Sequence, residues 1–405
     1  MTRRKVLVTA GALGVTSATG ITGIAGARSN GGDELWRFDA DGTIESSPTV
    51  IDDTVYVGSF DGNLYAVGSA TGEEMWSFQT NGWIEGSPAV SEGMVYVGSY
   101  DGNVYAIDAI TGETNWSVWT GRFIRSSQVV VDNTVIYGSI ELTAVDVETG
   151  EDVWSIPGRW DYSSPTVEDD TVFVGSRDQH LYALDVTSGE ERWSFPTDDV
   201  VLSSPTVVDE TVYVGSNDDH LYAIDRESGE QTWEFQTDGS ILSSATVFDG
   251  TVYVGSNDGH LYAVDANAGE LEWSFQTGGA VLASATVVGD TVYVGSTDNT
   301  LYALDASTGD QQWGFESSHS FGSSPTVVDG TLYVGSTDNS LYAIDTGDDG
   351  SSEDSRVTLG TLGHHDIVAE ASPIPGFGVG GALGGVGIGA YLLYKRFMSD
   401  EPGET

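Results

Sequence analysis

Along most of this chain apolar and polar residues alternate with period two in short runs, and Asp, Asn and Gly break the runs every few residues. Residues 243–276 are representative: SSATVF (243–248), TVYVGS (251–256), HLYAVD (260–265) and EWSFQ (272–276). Such alternation predicts half-buried strands separated by tight turns. Asp249-Gly250 and Asp258-Gly259 lie between consecutive runs and are hairpin signals, because a type I′ turn needs positive φ at both central positions. The predicted unit is a four-stranded antiparallel meander.

The unit recurs. Trp36, Trp76, Trp116, Trp154, Trp193, Trp233, Trp273 and Trp313 follow one another at 38 to 40 residues, and the text around each is rewritten with few changes. A lone four-stranded sheet with two apolar faces cannot bury both, so copies must stack face to face, and eight copies arranged radially make a propeller. The last copy ends at LYAID (341–345) without a Trp strand, whereas an extra one, LWRFD (35–39), opens the series. The expected fold is therefore all-β, an eight-bladed β-propeller with four antiparallel strands per blade, in which the N-terminal strand completes the last blade and removes two exposed edges.

The spacing A-x-D-x-x-T-G-x-x-x-W stands here as AIDAITGETNW (106–116), AVDVETGEDVW (144–154) and ALDASTGDQQW (303–313). It resembles the tryptophan-docking motif of pyrroloquinoline-quinone-type eight-bladed propellers, over about three quarters of the chain. Departures are Gly68 for the Asp, and Ser188, Ser228 and Ala268 for the Thr. The resemblance implies that each of the eight tryptophans is structural, lying on an outermost strand between neighbouring blades. Burying ~150–250 Å² of indole is worth roughly 4–6 kcal/mol gross per blade.

Charge adds a setting. Asp and Glu total 62 against 14 Lys and Arg, for a formal net charge of −48, and the only lysines are Lys5 and Lys395. Molar salt, with its Debye length of about 3 Å, would screen this self-repulsion, so the composition reads as halophilic, and with the terminal signals as haloarchaeal. It argues against nucleic acid as a partner. Without Cys there are no disulfides. Residues 1–27 read as an export signal resembling the twin-arginine type (Thr2-Arg3-Arg4-Lys5, then Ala25-Gly26-Ala27). Residues 28–345 are the expected propeller and 346–370 a polar linker. Residues 371–396 hold an uncharged stretch, Phe377 to Tyr394, of membrane-spanning length followed by Lys395-Arg396, which puts 397–405 in the cytoplasm and the propeller outside. Pro375-Gly376-Phe377, the apolar stretch and the basic pair together resemble a C-terminal sorting signal processed by an archaeosortase, which would exchange the helix for a lipid anchor. The expected location is the extracellular face of the membrane, anchored by helix or lipid.

Function in a repeat protein must sit where the copies differ. Three tryptophans fall off the beat, Trp83, Trp119 and Trp160, on or beside consecutive links from an outer strand to the next inner strand. The same links hold Arg122, Arg125 and Arg159, together with Glu85, Phe123, Asp161 and Tyr162, whereas the later links read DDVVLSS, DGSILSS and GGAVLAS. Two shortenings coincide with them, at SIELTAVD (139–146) and at 155–162. Trp83, Glu85, Trp119, Arg122, Phe123, Arg125, Arg159, Trp160 and Tyr162 are the candidate ligand- or partner-binding set, through cation–π and bidentate carboxylate contacts. The alternative is that the arginines pair with local acids and the aromatics fill space left by the deletions.

Quinone-dependent dehydrogenases of the resembled superfamily imply pyrroloquinoline quinone with Ca²⁺ and an Asp base. The uniformly short loops and absent Cys suit that poorly, so no cofactor and no catalytic residue are expected except under that alternative. His180, His220 and His260 occupy one position in three successive units, but equivalent sites on neighbouring blades stand roughly 10 Å apart, too far to share a metal. Asp61, Asp101, Asp178, Asp218, Asp258, Asp298 and Asp338 read as turn acceptors. The leading expectation is a non-catalytic, surface-anchored interaction or assembly scaffold, monomeric, with surface or membrane proteins or glycans as partners. The alternatives are a quinone-dependent sugar or alcohol dehydrogenase and a carbohydrate-binding surface protein.

Overall fold

The computed structural model describes residues 31–352. The expected signal, the sorting segment and the tail after it lie outside them. Among the described residues no helix is long and apolar enough to cross a membrane.

Eight four-stranded antiparallel sheets follow one another as blades 1 to 8, over residues 49–79, 89–119, 129–157, 166–196, 206–236, 246–276, 286–316 and 326–345. The strand Asp33–Asp39 pairs antiparallel with Ser340–Asp345 and completes blade 8, so the ring closes as the sequence predicts. Eight apolar clusters hold the blades together, each shared by two neighbours; Val55, Val57 and Tyr65 of blade 1, for instance, pack with Tyr333, Leu341 and Ala343 of blade 8.

The docking tryptophans owe their aim to a β-bulge. In every outer strand the register shifts just before the Trp, as between Ala263 and Val264, which pair with Trp273 and Leu271. The extra residue is pushed out to solvent and the indole turns toward the next blade. Each indole then lies on the glycine of the next blade's turn, Thr-Gly or Ser-Gly in most blades and Ala268-Gly269 in blade 6, where φ is positive: a Cβ on Gly269 (φ +68°) would come within 2.7 Å of Trp233. The Trp233 Nε1–H donates to the Ala266 carbonyl, which also accepts the Tyr213 hydroxyl. For Trp313 the matching turn is split between the two chain ends: it packs on Gly32 (φ +85°), with Gly31 wedged between the indole and the Thr346 carbonyl.

Nearer the axis the inner strands are shorter than their apolar runs suggest. In blade 6 only Thr246–Phe248 pairs in the ladder, because before it Ser243 bonds Gly255 of its own blade through its hydroxyl and the Ser244 N–H bonds across to the neighbouring blade. The Ser47 N–H donates to Ser87 Oγ, Ser87 to Ser127, Ser127 to Ser164, and so on through Ser204, Ser244 and Ser284 to Ser324, whose N–H returns to Ser47 Oγ. These eight bonds, each 2.9–3.1 Å and buried, close a circle around the axis. A parallel set of Thr hydroxyls, such as Thr246 Oγ1 to the Ala285 carbonyl, also crosses between blades, but Ala89 and Val129 replace the Thr in blades 2 and 3.

Turn chemistry follows the sequence with one difference. Asp249 and Gly250 both have positive φ, as a type I′ turn demands, whereas at Asp258-Gly259 only the glycine does. Asp258 instead accepts from the His260 N–H through Oδ1 and from the Tyr262 hydroxyl through Oδ2. The equivalent Tyr–Asp bond recurs at Asp61, Asp101, Asp178, Asp218, Asp298 and Asp338.

Candidate functional site

Links and middle hairpins share one face. The Tyr100 N–H donates to the Trp83 carbonyl, Phe60 to Thr43 and Arg177 to Arg159, so the first residue of each middle hairpin lies beside the link that precedes it. In blades 5 to 8 that residue is Asn217, Asn257, Thr297 or Thr337; in blades 1, 2 and 4 it is Phe60, Tyr100 or Arg177.

These residues interleave with the link residues into one continuous row. Phe60 stacks on Trp83 (centroids 4.9 Å apart, planes 2° apart), Trp83 leans on Tyr100 (5.3 Å), and Tyr100 stacks on Phe123 (5.2 Å, 16°). Arg125 continues the row, its Cζ 5.0 Å from the Phe123 centroid, 5.2 Å from Tyr100 and 4.5 Å from Tyr162. Arg177 covers Tyr162 at 5.1 Å and pairs with Asp161 at 3.6 Å. The row runs across blades 1 to 4 and is half-buried at its aromatic end. Beside it, burial pushes the Asp101 carboxyl up, but hydrogen bonds from the Asn81 N–H, the Tyr105 hydroxyl and Asn103 outweigh that and hold it below the ordinary carboxylate range.

Phe60, Tyr100 and Arg177 are additions to the set read from sequence. The signal was present, since comparing the middle hairpins unit by unit, as the links were compared, picks out the same three positions.

The other expected residues divide three ways. Glu85 and Arg125 are buried, 1% and 5% exposed, with Oε2 and Nε 4.0 Å apart. They belong to a circle of equivalent positions just before the inner serines: Glu45, Glu85, Arg125 and Tyr162 on one half, Leu202, Leu242, Leu282 and Gly322 on the other. That Arg125 touches both Glu85 and Tyr162, its counterparts on the adjacent links, places this circle close to the axis.

Trp160 does not join the row. It is 4% exposed, its Nε1–H donates to the Ile156 carbonyl and its ring meets Tyr182 edge-on. Its N–H bonds the Ser139 carbonyl just as Ile84 bonds Ser59 and Ile124 bonds Ser99, so the shortened link has seated an indole where the other links seat Ile, Val or, in the last, Phe321. Trp119, Arg122 and Arg159 are exposed on the rim. Trp119 is the last residue of its outer strand, 71% exposed, and Arg122 has no acidic partner among the described residues.

His180, His220 and His260 each lean on the tyrosine two residues on in the same blade, at 5.5–5.8 Å, and face their own turn aspartates. Among the described residues no three His, Cys, Asp or Glu side chains converge on a common point that could hold a metal. In the circle just before the inner serines, Glu45, Glu85, Arg125, Tyr162, Leu242 and Leu282 are buried.

Both ends of the described chain lie on the opposite face. Beyond Asp345 the chain stays on blade 8: Thr346 N–H donates to Gly330 O, Gly330 N–H to Gly350 O, Asp329 N–H to Ser351 Oγ, and Ser352 Oγ bonds both the N–H and the carbonyl of Val327 on the inner strand. The segment therefore runs inward under the blade.

Comparison with known proteins agrees with this architecture. The family profile of the beta-alanine-activating enzyme β-propeller matches residues 139–360, and that of outer membrane protein assembly factor BamB matches residues 22–159. Among solved structures the chain is similar to BamB from Moraxella catarrhalis, with TM-score 0.68, 20% identity, and 77% of this chain and 99% of that one covered. It is also similar to the computationally designed Ika8 protein (TM-score 0.70, 17% identity, 78% and 100% covered). A third similarity is to quinohemoprotein alcohol dehydrogenase from Comamonas testosteroni (TM-score 0.66, 17% identity, 78% and 76% covered). A search of curated proteins finds no match. With one profile covering more than half of the chain and the other most of the remaining blades, the chain belongs to the family of the beta-alanine-activating enzyme β-propeller, within the eight-bladed propellers of pyrroloquinoline-quinone-like repeats.

Proposed function

We propose that this chain is a non-catalytic propeller that serves as an interaction scaffold on the outer side of the membrane, held there through its C-terminal segment. The observation that carries this reading is the concentration of symmetry-breaking side chains into one row across blades 1 to 4, on the face opposite both described chain ends. A tether leaving from the far face leaves that row open to a partner. The similarity to an outer membrane assembly factor supports a scaffold's mode of action without supplying a partner.

The dehydrogenase reading is separated from this one by adding pyrroloquinoline quinone and Ca²⁺ to the pure protein and following bound-cofactor absorbance and dye reduction with sugars and alcohols. The scaffold reading expects neither signal, and turnover would overturn it. In parallel, Trp119→Ala with Arg122→Ala should abolish association with native cell envelopes while circular dichroism stays unchanged; undiminished association would remove the row and its rim from the interaction.

A further inference from the structure

We infer that residues 346–352 form a strap that closes the ring a second time, from the channel side, and that this strap is what meets a pull on the C-terminal segment; the second half rests on the scaffold reading above. The inner strand Thr326–Val328 is an edge strand of blade 8, so half of its backbone groups face the axis without a ladder partner. The strap covers that edge. Ser352 Oγ accepts the Val327 N–H at 3.1 Å and donates to the Val327 carbonyl at 3.0 Å. Ser351 Oγ accepts the Asp329 N–H at 3.0 Å, and the Gly350 carbonyl accepts the Gly330 N–H at 2.8 Å. Residues 350, 351 and 352 thus meet 330, 329 and 327 in antiparallel order. In blades 1 to 7 no described residue caps the equivalent valine, such as Val247, in this way.

The sequence turns the chain inward here. In blade 7 the residue after the third strand, Ala306, opens a turn through Gly309 (φ +73°) that leads out to the Trp strand. In blade 8 a glycine of positive φ, Gly347 (+84°), comes two residues earlier. Thr346 Oγ1 bonds the Gly330 and Asp348 carbonyls at 2.8 and 2.9 Å, which folds the chain back over the first hairpin of the blade.

The strap also joins two blades. Gly350 lies so near blade 7 that a Cβ there would stand 2.4 Å from Val288 Cγ1. Val288 and Val327 belong to the one apolar cluster that holds blade 7 to blade 8, so the strap seals this seam from the channel. The strand Asp33–Asp39 closes the same blade at its outer edge. Both ends of the described chain therefore clasp blade 8, one on each edge. Because Ser352 is 6% exposed beside the inner strand, the chain leaves the propeller close to the axis. A pull on it reaches the bonds to residues 327, 329 and 330 before it reaches the outer ladder.

Residue-resolved hydrogen exchange on the full chain tests the strap. The Val327, Asp329 and Gly330 amides should be protected relative to Val247. Gly350→Ala, which drives the strap off Val288, and Ser352→Ala, which removes one oxygen, should each speed all three by roughly tenfold or more, because the strap opens as a unit. Gly250→Ala, at the equivalent hairpin of blade 6, should leave them unchanged. Exchange of all three as fast as Val247, or a Ser352→Ala variant that frees Val327 alone while Gly330 stays protected, would overturn the strap. Pulling the full chain between its C-terminus and a handle at Gln276 tests the load path. Release of the strap's seven residues should add roughly 2 nm, at about 3.3–3.6 Å per residue, ahead of any blade opening. Blades that open without that step would overturn the strap's part in meeting the pull. These readouts are independent of envelope association: loss of the strap signals with association still sensitive to the Trp119 and Arg122 variants sinks the strap and keeps the scaffold, and the reverse result sinks the scaffold alone.

Discussion

Replacing Ser244 by Ala removes one oxygen from a closed circle and should cost far more than its size suggests. Ser244 Oγ is the acceptor for the Ser204 N–H at 3.1 Å, and both residues are buried. The substitution leaves that N–H without a partner at the blade 5–6 interface, and an orphaned buried donor costs about 1–3 kcal/mol. No methylene is lost, so the cavity contribution is small. The control is two residues away, where Thr246 Oγ1 donates to the Ala285 carbonyl across the next interface at 2.7 Å. Thr246→Val removes a donor from a carbonyl and keeps the shape, and the chain itself carries Ala89 and Val129 at that position. Its cost should stay below about 1 kcal/mol, since losing the net worth of one bond is milder than stranding a donor. Denaturant unfolding at high salt, comparing midpoints at constant slope, measures both. Equal costs, or a neutral Ser244→Ala, would refute the reasoning that the serine circle rather than the threonine set closes the axis.

Three further outcomes are expected. Gly269→Ala should destabilise more than Gly250→Ala: both have positive φ, but a Cβ at 269 meets the Trp233 indole at 2.7 Å while nothing lies within 4 Å of one at 250, so the second pays only the ~1–2 kcal/mol of left-handed backbone. Burial and the bonds to Asp298 and Asp338 push the Tyr302 and Tyr342 phenols from 10.0 up to about 12, so the fold keeps protons the unfolded chain releases. Their contribution is whole below pH ~10 and is lost as pH rises through about 12, which phenolate absorbance and unfolding should report together. Deleting residues 33–39 strips blade 8 of its outer strand, and Trp36 with its bond to the Ser69 carbonyl, so limited proteolysis should open the chain at blades 8 and 1 first.

The fold was legible because it is written eight times. Trp spacing gave the blade number, and the unpaired Trp strand at residues 35–39 gave the closure. Two things escaped that reading for physical reasons. The middle hairpins meet the links across 17 or so residues of sequence, through bonds such as Tyr100 N–H to Trp83 O, so Phe60, Tyr100 and Arg177 become neighbours of Trp83, Phe123 and Tyr162 only in three dimensions. Trp160 looked like an exposed platform because it broke the pattern, yet the deletion beside it moved it into the seat of a buried core residue. An off-pattern residue marks altered packing as readily as an altered surface, and burial decides which.

The central claim is that one sector of one face meets a partner. A photoreactive side chain placed at Trp119, and in a second variant at Gln276, tests it most directly, because the two residues hold equivalent positions, opposite Asn103 in blade 2 and His260 in blade 6. On illumination in native cell envelopes the account predicts a discrete adduct from position 119 and none from 276. Equal adducts from both positions, or none from 119, would contradict it.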